Sequence, residues 1–233
     1  MLVDVEKIRE ISLFKDLDTS LLEYFAQHSR LQAYDADEIV FHEDDALPAC
    51  LYLLVAGSLR ITKMSDAGKE TILRLLWADA VFAAPALFGD GLAPATATAM
   101  EPIQVLTMER EALLEGFRHA PELALHLLTV YNQRLQHLHN RVLGLVSERA
   151  IVRLIHYLEY FAASAGTEPV PEGKRLRSHL TYYQIARSIG ITYEECIRLF
   201  KQLKGKVTYE RGGKITLLMP IQQFHEMLHH GVD

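Results

Sequence analysis

The chain has 233 residues, of which 49% are hydrophobic and 23% charged, a normal composition for one large globular domain or two ordinary ones. No apolar stretch approaches the length of a membrane helix. The N-terminus has no basic region followed by an apolar one, so we expect neither a membrane partner nor a secretion signal. Cys50 and Cys196, 146 residues apart, exclude a disulfide framework and cannot by themselves supply the four thiolates of an iron–sulfur cluster. These features favour a reducing, cytoplasmic location.

The formal net charge of −6 is unevenly distributed along the chain. From Lys174 to Lys214 there are ten Lys and Arg residues and three acidic ones, whereas the rest of the chain holds 14 basic and 27 acidic residues. A basic module attached to an acidic body indicates a polyanion partner for that end of the chain. A solvated basic face is the alternative.

The N-terminal half predicts short helices followed by a β-rich region. Asp18 or Thr19 can cap a helix within the first thirty residues. From about Leu31 to Met108, short apolar runs alternate with turn residues in the way that is typical of an antiparallel β-barrel or roll. The predicted strands cover residues 39–41, 51–55, 59–61, 71–76, 95–98 and 105–106.

A long helix is predicted from Pro121 to about Ser147, because Pro suits a first helical turn and Gly144 is the only later helix-weakening residue. An apolar stripe with the spacing of a coiled-coil seam runs along it. The stripe consists of Leu128, Tyr131, Leu135, Leu138, Val142 and Leu145. We therefore predict a homodimer interface here, with a core helix of a monomer as the alternative. Residues 151–161 then predict an amphipathic helix, and Ala162 to Gly173 a loop.

Two capping-box patterns define the most informative segment, from Leu180 to Lys204. Thr181–Gln184 and Thr192–Glu195 predict helix starts eleven residues apart, with a tight turn at Gly190 between the helices. This is the spacing of a helix-turn-helix. After it, residues 206–209 and 214–218 predict two strands around a turn, which is the wing of a winged helix.

The outer face of the second helix carries groups that suit a DNA major groove. Arg198 can donate two hydrogen bonds to guanine, and Glu194 can accept one from cytosine, while Lys201 and Lys204 suit phosphates. An ion pair between Glu194 and Arg198, and a capping role for Glu195, are the structural alternatives.

A β-roll, a long helix and a winged helix in this order resemble the CRP/FNR family of bacterial transcription regulators. Within the roll, Leu53–Ile61 is similar to the family's strand-Gly-strand turn and Gly68–Leu75 to its next hairpin arm. In the last segment, Glu194-Glu-Cys-Ile-Arg198 resembles the family's recognition signature.

The resemblance implies an α+β fold. Residues 1–120 would form an effector-sensing antiparallel β-roll, a double-stranded β-helix like a cyclic-nucleotide-binding domain. Residues 121–147 would be the dimerisation helix and residues 148–233 a winged helix-turn-helix. It also implies binding of double-stranded DNA at an inverted-repeat operator, and of RNA polymerase if the protein is an activator. The predicted DNA-contacting residues are Thr181, Thr192, Tyr193, Glu194, Arg198, Lys201, Lys204 and Lys214. Tyr193 and Glu195 depart from the family's usual residues.

The expected ligand pocket departs further from the family pattern. Members that bind cAMP carry a Glu for the ribose and an Arg-Ser pair for the cyclic phosphate, whereas Ala84, Pro94 and Ala95 stand at those positions here. A buried phosphate without a cation or hydroxyl donor is costly, so cAMP is not expected. The cysteine cluster of the iron–sulfur branch is also absent.

We predict instead a small apolar or weakly acidic effector bound between the roll and the long helix. Its predicted contacts are Phe82, Ala83, Ala84, Pro85, Ala95, Thr96, Tyr131, Leu138 and His139. The alternative is a haem-based sensor of NO, CO or redox state on the same scaffold, with His42, His137 and His139 as candidate ligands. The sequence contains no nucleophile elbow, phosphate-binding Gly-rich loop or metalloprotease motif, so we expect no enzyme and no metal site.

Overall fold

The computed structural model describes residues 3–220 and residue 223. The chain divides into two compact units, Met1–Gln136 and His137–Asp233. The boundary between them lies within one long helix.

The first unit opens with two short helices, as the sequence predicts. They are α1 (Val5–Arg9) and α2 (Thr19–Gln27). Asp18 is the N-cap of α2, and its carboxylate accepts a hydrogen bond of 2.9 Å from the backbone N–H of Leu21. The apolar side of α2, including Leu22 and Phe25, is buried in the core of the unit.

Two four-stranded antiparallel sheets form the roll. The first has the order β1 (Ser29–Tyr34), β8 (Ile103–Glu109), β3 (Cys50–Ala56) and β6 (Ala80–Phe82). The second has the order β2 (Ile39–Phe41), β7 (Thr96–Ala99), β4 (Ser58–Met64) and β5 (Glu70–Trp77). The six predicted strands are confirmed, and β1 and β6 were not predicted.

Two further helices were also not predicted, one between β6 and β7 and one between β8 and the long helix. They are α3 (Ala84–Phe88) and α4 (Arg110–His119). Ala83, which precedes α3, has a left-handed backbone with φ of 51° and offers no side-chain cap. Helix α3 therefore starts at a strained position for a residue with a Cβ atom.

The predicted long helix is confirmed as α5 (Pro121–Ser147), which is followed by α6 (Ala150–Ser164). The predicted loop from Ala162 to Gly173 is wrong, because α6 extends into it and β9 (Thr167–Val170) pairs antiparallel with β10 (Gly173–Leu176). The Pro and Gly residues that suggested a loop have other roles. Pro169 lies in an edge strand, where its missing N–H is tolerated.

The second unit ends in a helix-turn-helix with a wing. Its helices are α7 (Tyr182–Ile189) and α8 (Tyr193–Gln202), and its wing strands are β11 (Val207–Glu210) and β12 (Lys214–Leu217). The sheet order is β11-β12-β10-β9, so the wing continues into the hairpin that precedes α7. The predicted wing strands are confirmed.

Gly213 is tightly packed at the end of the wing turn. Its φ is +80°, and a Cβ atom there would lie 2.8 Å from the backbone nitrogen of Leu180. We expect Gly213→Ala to destabilise the protein by about 1–3 kcal/mol and to lower its melting temperature. Thermal unfolding of the purified protein measures this.

Gly212→Ala is the matched control for that substitution. Gly212 has a similar φ of +88° but no heavy atom within 4 Å of its added Cβ, so it carries the backbone strain without the steric overlap. Equal losses in the two variants would contradict the argument that packing against Leu180 matters.

Candidate nucleic-acid interface

Side-chain caps fix the start of both helices of the helix-turn-helix. The Thr181 hydroxyl accepts from the Gln184 N–H at 3.2 Å, and the Gln184 side-chain oxygen accepts from the Thr181 N–H at 2.8 Å, which completes a capping box. At the start of the second helix, only one of the two hydrogen bonds of a capping box is formed. Thr192 accepts from the Glu195 N–H at 3.1 Å, but the Glu195 carboxylate accepts a hydrogen bond from Arg198 instead.

The turn between the helices is built on Gly190 and a buried apolar contact. Gly190 ends α7 in a left-handed conformation, with φ of 72° and ψ of 40°. Cys196 is fully buried on the inner face of α8, beside Leu199 and Phe200. Burial raises the pKa of the Cys196 thiol to about 12, so it is protonated at neutral pH and serves as a packing residue.

The C-terminal end of α7 is held by three side chains from α5 and α6. Arg141 donates to the Ser188 carbonyl at 2.6 Å, Arg153 donates to the Ile189 carbonyl at 3.0 Å, and Tyr157 donates to the Ser188 hydroxyl at 2.9 Å. These bonds satisfy carbonyls that the helix itself leaves without partners. They place α7, and the turn that follows it, rigidly on α5 and α6. No local sequence pattern predicts any of these three contacts, because they join residues 31 to 47 positions apart.

The outer face of α8 is exposed and carries the predicted base-reading groups. The Arg198 side chain is 66% exposed and donates to Glu195 at 3.3 Å, and Glu194 and Lys201 are also exposed. The ion pair therefore joins Arg198 to Glu195, not to Glu194 as the sequence allowed.

An aromatic cluster supports the N-terminal end of this face. Tyr182 stacks on Tyr209 of the wing with ring centroids 3.7 Å apart, and it meets Tyr193 edge to face at 6.1 Å. Burial and the neighbouring Tyr209 raise the pKa of Tyr182 to about 12. Tyr193 remains exposed, so its ring lies at the surface next to Glu194.

The remaining predicted DNA contacts lie around α8 on the same unit. Thr181 and Thr192 are exposed N-caps, Lys204 is exposed just after the end of α8, and Lys214 is exposed at the start of β12. Most of the predicted set thus belongs to α8 and its immediate ends, with Lys214 on the wing.

The predicted effector residues of the roll lie partly in its core. Phe82 is fully buried and packs against Phe41 and Tyr52, with ring centroids 6.0 and 5.7 Å away. Ala83 and Ala95 are also buried.

Other predicted effector residues lie at the periphery of that core or outside it. Ala84 and Pro85 begin α3 and are half-buried, while the Thr96 hydroxyl accepts from the Glu43 N–H at 3.0 Å. On α5, Tyr131 is half-buried, and Leu138 and His139 are exposed in the second unit.

The predicted seam on α5 is largely exposed in a single chain. Leu128 is 63% exposed, and four others are about half-exposed: Leu135, Leu138, Val142 and Leu145. Tyr131 is half-buried. So many large apolar side chains exposed on one face of a helix indicate a surface that another protein covers.

In residues 3–220 and 223, no group of three or more His, Cys, Asp or Glu side chains is arranged to hold a metal ion. In that same part of the chain, no helix combines the length and apolar character required to cross a membrane. Of the candidate haem ligands, His137 stacks on Tyr160 with centroids 3.9 Å apart, and His42 and His139 are exposed.

Comparisons with known proteins agree with this architecture. The profile of the cyclic nucleotide-binding domain matches residues 31–119. The chain is 28% identical over 146 residues to the CRP-like cAMP-activated global transcriptional regulator of Mycobacterium tuberculosis H37Rv. The match covers 62% of this chain and 64% of that relative, just under two thirds of its length. The chain is also 26% identical over 199 residues to the cAMP-activated global transcriptional regulator CRP of Haemophilus influenzae. That match covers 83% of this chain and 86% of the relative.

A solved structure extends the similarity of fold over nearly the whole chain. The structure of a CooA mutant from Carboxydothermus hydrogenoformans superposes with a TM-score of 0.73 at 22% identity, covering 91% of this chain and 90% of that one. At this level of identity the superposition speaks for the fold alone.

Proposed function

The chain belongs to the CRP/FNR family of transcription regulators, and from that premise we propose that it binds an inverted-repeat DNA operator as a homodimer under the control of a small effector. Such a regulator works in the cytoplasm, where its DNA partner lies. It would also contact RNA polymerase if it activates transcription. We propose a regulatory role and not an enzymatic one.

The exposed face of α8 is the observation that carries the DNA-binding proposal. Helix α8 presents Arg198, Glu194 and Lys201 outward, next to a wing with an exposed lysine. A helix of this kind suits the major groove of B-DNA, where Arg can pair with guanine and Glu with cytosine.

The homodimer is supported by the exposed seam of α5. A second copy of the same helix would cover the six seam residues, with like residues packing against each other about a two-fold axis. Two identical DNA-reading units would then require two half-sites about one helical turn apart.

The proposed effector is a small molecule other than cAMP. The chain matches the cyclic nucleotide-binding domain, yet Ala84, Pro94 and Ala95 provide neither the cation nor the hydroxyl that a cyclic phosphate needs. Fold similarity does not carry the ligand with it. An absorption spectrum of the freshly purified protein tests the haem alternative, since haem gives a strong Soret band.

Selection of binding sites from random double-stranded DNA tests the proposed function. We expect the full-length protein to enrich an inverted repeat. At physiological salt, its affinity for that repeat, measured by fluorescence anisotropy, should be at least about a thousandfold higher than for a scrambled duplex. Enrichment of a single half-site without symmetry would contradict the dimer. Equal affinity for all duplexes would contradict sequence-specific regulation.

Glu195 is expected to restrain DNA binding. Its carboxylate pairs with Arg198 and places a negative charge beside the surface that approaches phosphates. Glu195→Gln keeps the backbone N–H that Thr192 caps but removes that charge. We expect tighter binding to operator and random DNA by up to about 1 kcal/mol, roughly fivefold, measured by anisotropy.

Glu168→Gln is the control because it removes the same charge from β9, at the opposite edge of the sheet from the wing strand β11. We expect it to leave DNA affinity nearly unchanged. If Glu195→Gln weakens binding, the carboxylate orients Arg198 productively and the restraint is the wrong interpretation.

A further inference from the structure

Four aromatic rings run from the core of the second unit to its surface at the start of α8. Phe200 is buried, and Tyr182 and Tyr209 are half-buried. The ring centroid of Tyr182 lies 5.2 Å from that of Phe200 and 3.7 Å from that of Tyr209. Tyr193 is the outermost of the four and is 48% exposed. Packing therefore accounts for the three inner rings, but the ring of Tyr193 leaves apolar surface open to solvent.

The position of Tyr193 is fixed in two ways. It is the first residue of α8, and the Thr192 cap determines where that helix begins. Its ring meets the Tyr182 ring edge to face, with centroids 6.1 Å apart and an angle of 84° between the ring planes. A tyrosine has only two side-chain torsions, so a ring already held in place loses little entropy when another group packs on it. Tyr193 is therefore a pre-organised apolar contact surface.

Tyr193 lies at the end of α8 that contacts bases in the proposed complex. The N-terminal residues of a helix in the major groove contact base edges. Helical side chains point toward the N-terminus of their helix, so Tyr193 extends past the start of α8, ahead of Glu194. Arg198 lies farther on by about 7.5 Å along the helix axis. Because one base pair rises by only about 3.4 Å, we expect Tyr193 and Arg198 to contact different base pairs.

Two carboxylates beside Tyr193 disfavour a contact with the DNA backbone. Glu194 and Glu195 both lie in the first turn of α8, and the Glu194 side chain is exposed. Negative charge at this end of the helix repels phosphates, whereas the base edges in the groove carry no net charge. The ring of Tyr193 therefore faces bases more favourably than phosphates.

The chemistry of the ring favours one base. A base is read in the major groove through its donors and acceptors, or through the 5-methyl group that thymine alone presents there. An aromatic ring cannot form the paired hydrogen bonds that identify guanine or adenine, but it can pack on a methyl group. Covering one methyl group corresponds to about 0.8 kcal/mol, which is about fourfold in affinity.

We propose that the ring of Tyr193 packs on the 5-methyl group of one thymine in each operator half-site and determines the base that is preferred there. This inference rests on the proposed function and adds to the operator a base that Glu194 and Arg198 do not define. The phenol hydroxyl is not required for it, because the ring makes the contact.

Replacing single thymines of the selected operator with deoxyuridine tests the contact, since deoxyuridine keeps the base pairing and lacks only the methyl group. We expect one position in each half-site where this change weakens wild-type binding by about fourfold, and by about fifteenfold when both half-sites are changed. Tyr193→Ala should bind the thymine and deoxyuridine operators equally. Fluorescence anisotropy at physiological salt measures the affinities. A scan without a sensitive thymine, or a Tyr193→Ala variant that keeps the sensitivity, overturns the proposal.

Tyr193→Phe separates the ring from its hydroxyl. We expect this variant to keep the fourfold sensitivity to the methyl group, because it keeps the ring. If Tyr193→Phe binds the thymine and deoxyuridine operators equally, the hydroxyl makes the contact and the proposal is wrong.

Tyr183→Ala is the matched control. Tyr183 is 46% exposed, close to the value for Tyr193, but it lies on α7 with the Arg187 guanidinium 5.3 Å from the centre of its ring. We expect Tyr183→Ala to distinguish thymine from deoxyuridine as the wild type does. Loss of that difference in this variant as well would show that the methyl sensitivity does not belong to Tyr193.

5-Methylcytosine provides a gain of binding at the same position. Replacing the sensitive T·A pair with C·G changes the donors and acceptors, and 5-methylcytosine then restores the methyl group alone. We expect wild type to bind the methylated pair about fourfold more tightly than the unmethylated pair, and Tyr193→Ala to show no difference. No gain in the wild type, or an equal gain in both proteins, contradicts a contact between Tyr193 and the methyl group.

The same titrations distinguish failure of this inference from failure of the proposed function. Specific binding of an inverted repeat without a sensitive thymine removes the contact of Tyr193 and leaves the proposed function standing. Equal affinity for the operator and for scrambled DNA contradicts both.

Discussion

Leu135→Glu should convert the homodimer into a monomer at concentrations where the wild type is dimeric. Leu135 is 50% exposed in the single chain and lies in the middle of the proposed seam. In a two-fold dimer, each introduced carboxylate would be buried near its own copy, which costs about 3–5 kcal/mol and weakens dimerisation by roughly two to four orders of magnitude. Sedimentation velocity at micromolar protein concentration measures the change.

Leu143→Glu on the same helix separates this effect from a general loss of stability. Leu143 is 58% exposed, close to the value for Leu135, but it falls outside the seam spacing. We expect this variant to remain dimeric and to keep operator affinity. A monomeric wild type, or equal dissociation of the two variants, would show that the apolar face of α5 has another role.

The helix-turn-helix could be predicted from sequence because its signals are local. The Thr181 and Thr192 caps, the left-handed turn at Gly190 and the buried Cys196 all lie between residues 181 and 196, and each has the expected type and place, although the second capping box lacks its return bond from Glu195. Local hydrogen bonds determine such starts and turns, so short patterns are sufficient to find them.

Elements that depend on distant pairing were not predictable in this way. Strand β1 pairs with β8, more than sixty residues later, and the three-residue β6 is a strand because of its ladder with β3. Strand β9 was missed for a different reason: its partner β10 follows after only two residues, but Pro169 suggested a loop. In each case the partner strand supplies a stabilisation that the segment's own composition does not show.

At the candidate interface, the charged residues of α8 could be predicted from the sequence, but the ion pair that forms between them could not. Glu194 and Glu195 stand four and three residues before Arg198, and both spacings permit a helical ion pair. The structure selects Glu195. Arg141 and Arg153, which hold the end of α7, act across 47 and 36 residues and leave no local pattern to detect.

Arg198→Ala should remove sequence discrimination at one base pair of each half-site. The side chain is two-thirds exposed at the centre of the outward face of α8, and its guanidinium can donate two hydrogen bonds to O6 and N7 of a guanine. We expect a loss of about 1–3 kcal/mol per half-site for the operator and a much smaller loss for random DNA. Anisotropy titrations with a set of single-base operator variants measure both.

Two further variants and one modified base separate base recognition from charge. Arg198→Lys keeps the positive charge but loses the bidentate geometry, so it should retain affinity for random DNA while losing discrimination. Lys204→Ala should lower the affinity for all DNA sequences alike. It should also reduce the salt dependence of binding by the amount that corresponds to about one phosphate contact. An operator with 7-deazaguanine at the contacted position lacks the N7 acceptor, so it should weaken wild-type binding and leave Arg198→Ala unaffected. If the modified base lowers the DNA affinity of the wild type and of Arg198→Ala equally, Arg198 does not contact that guanine. Another residue of α8 would then contact the base.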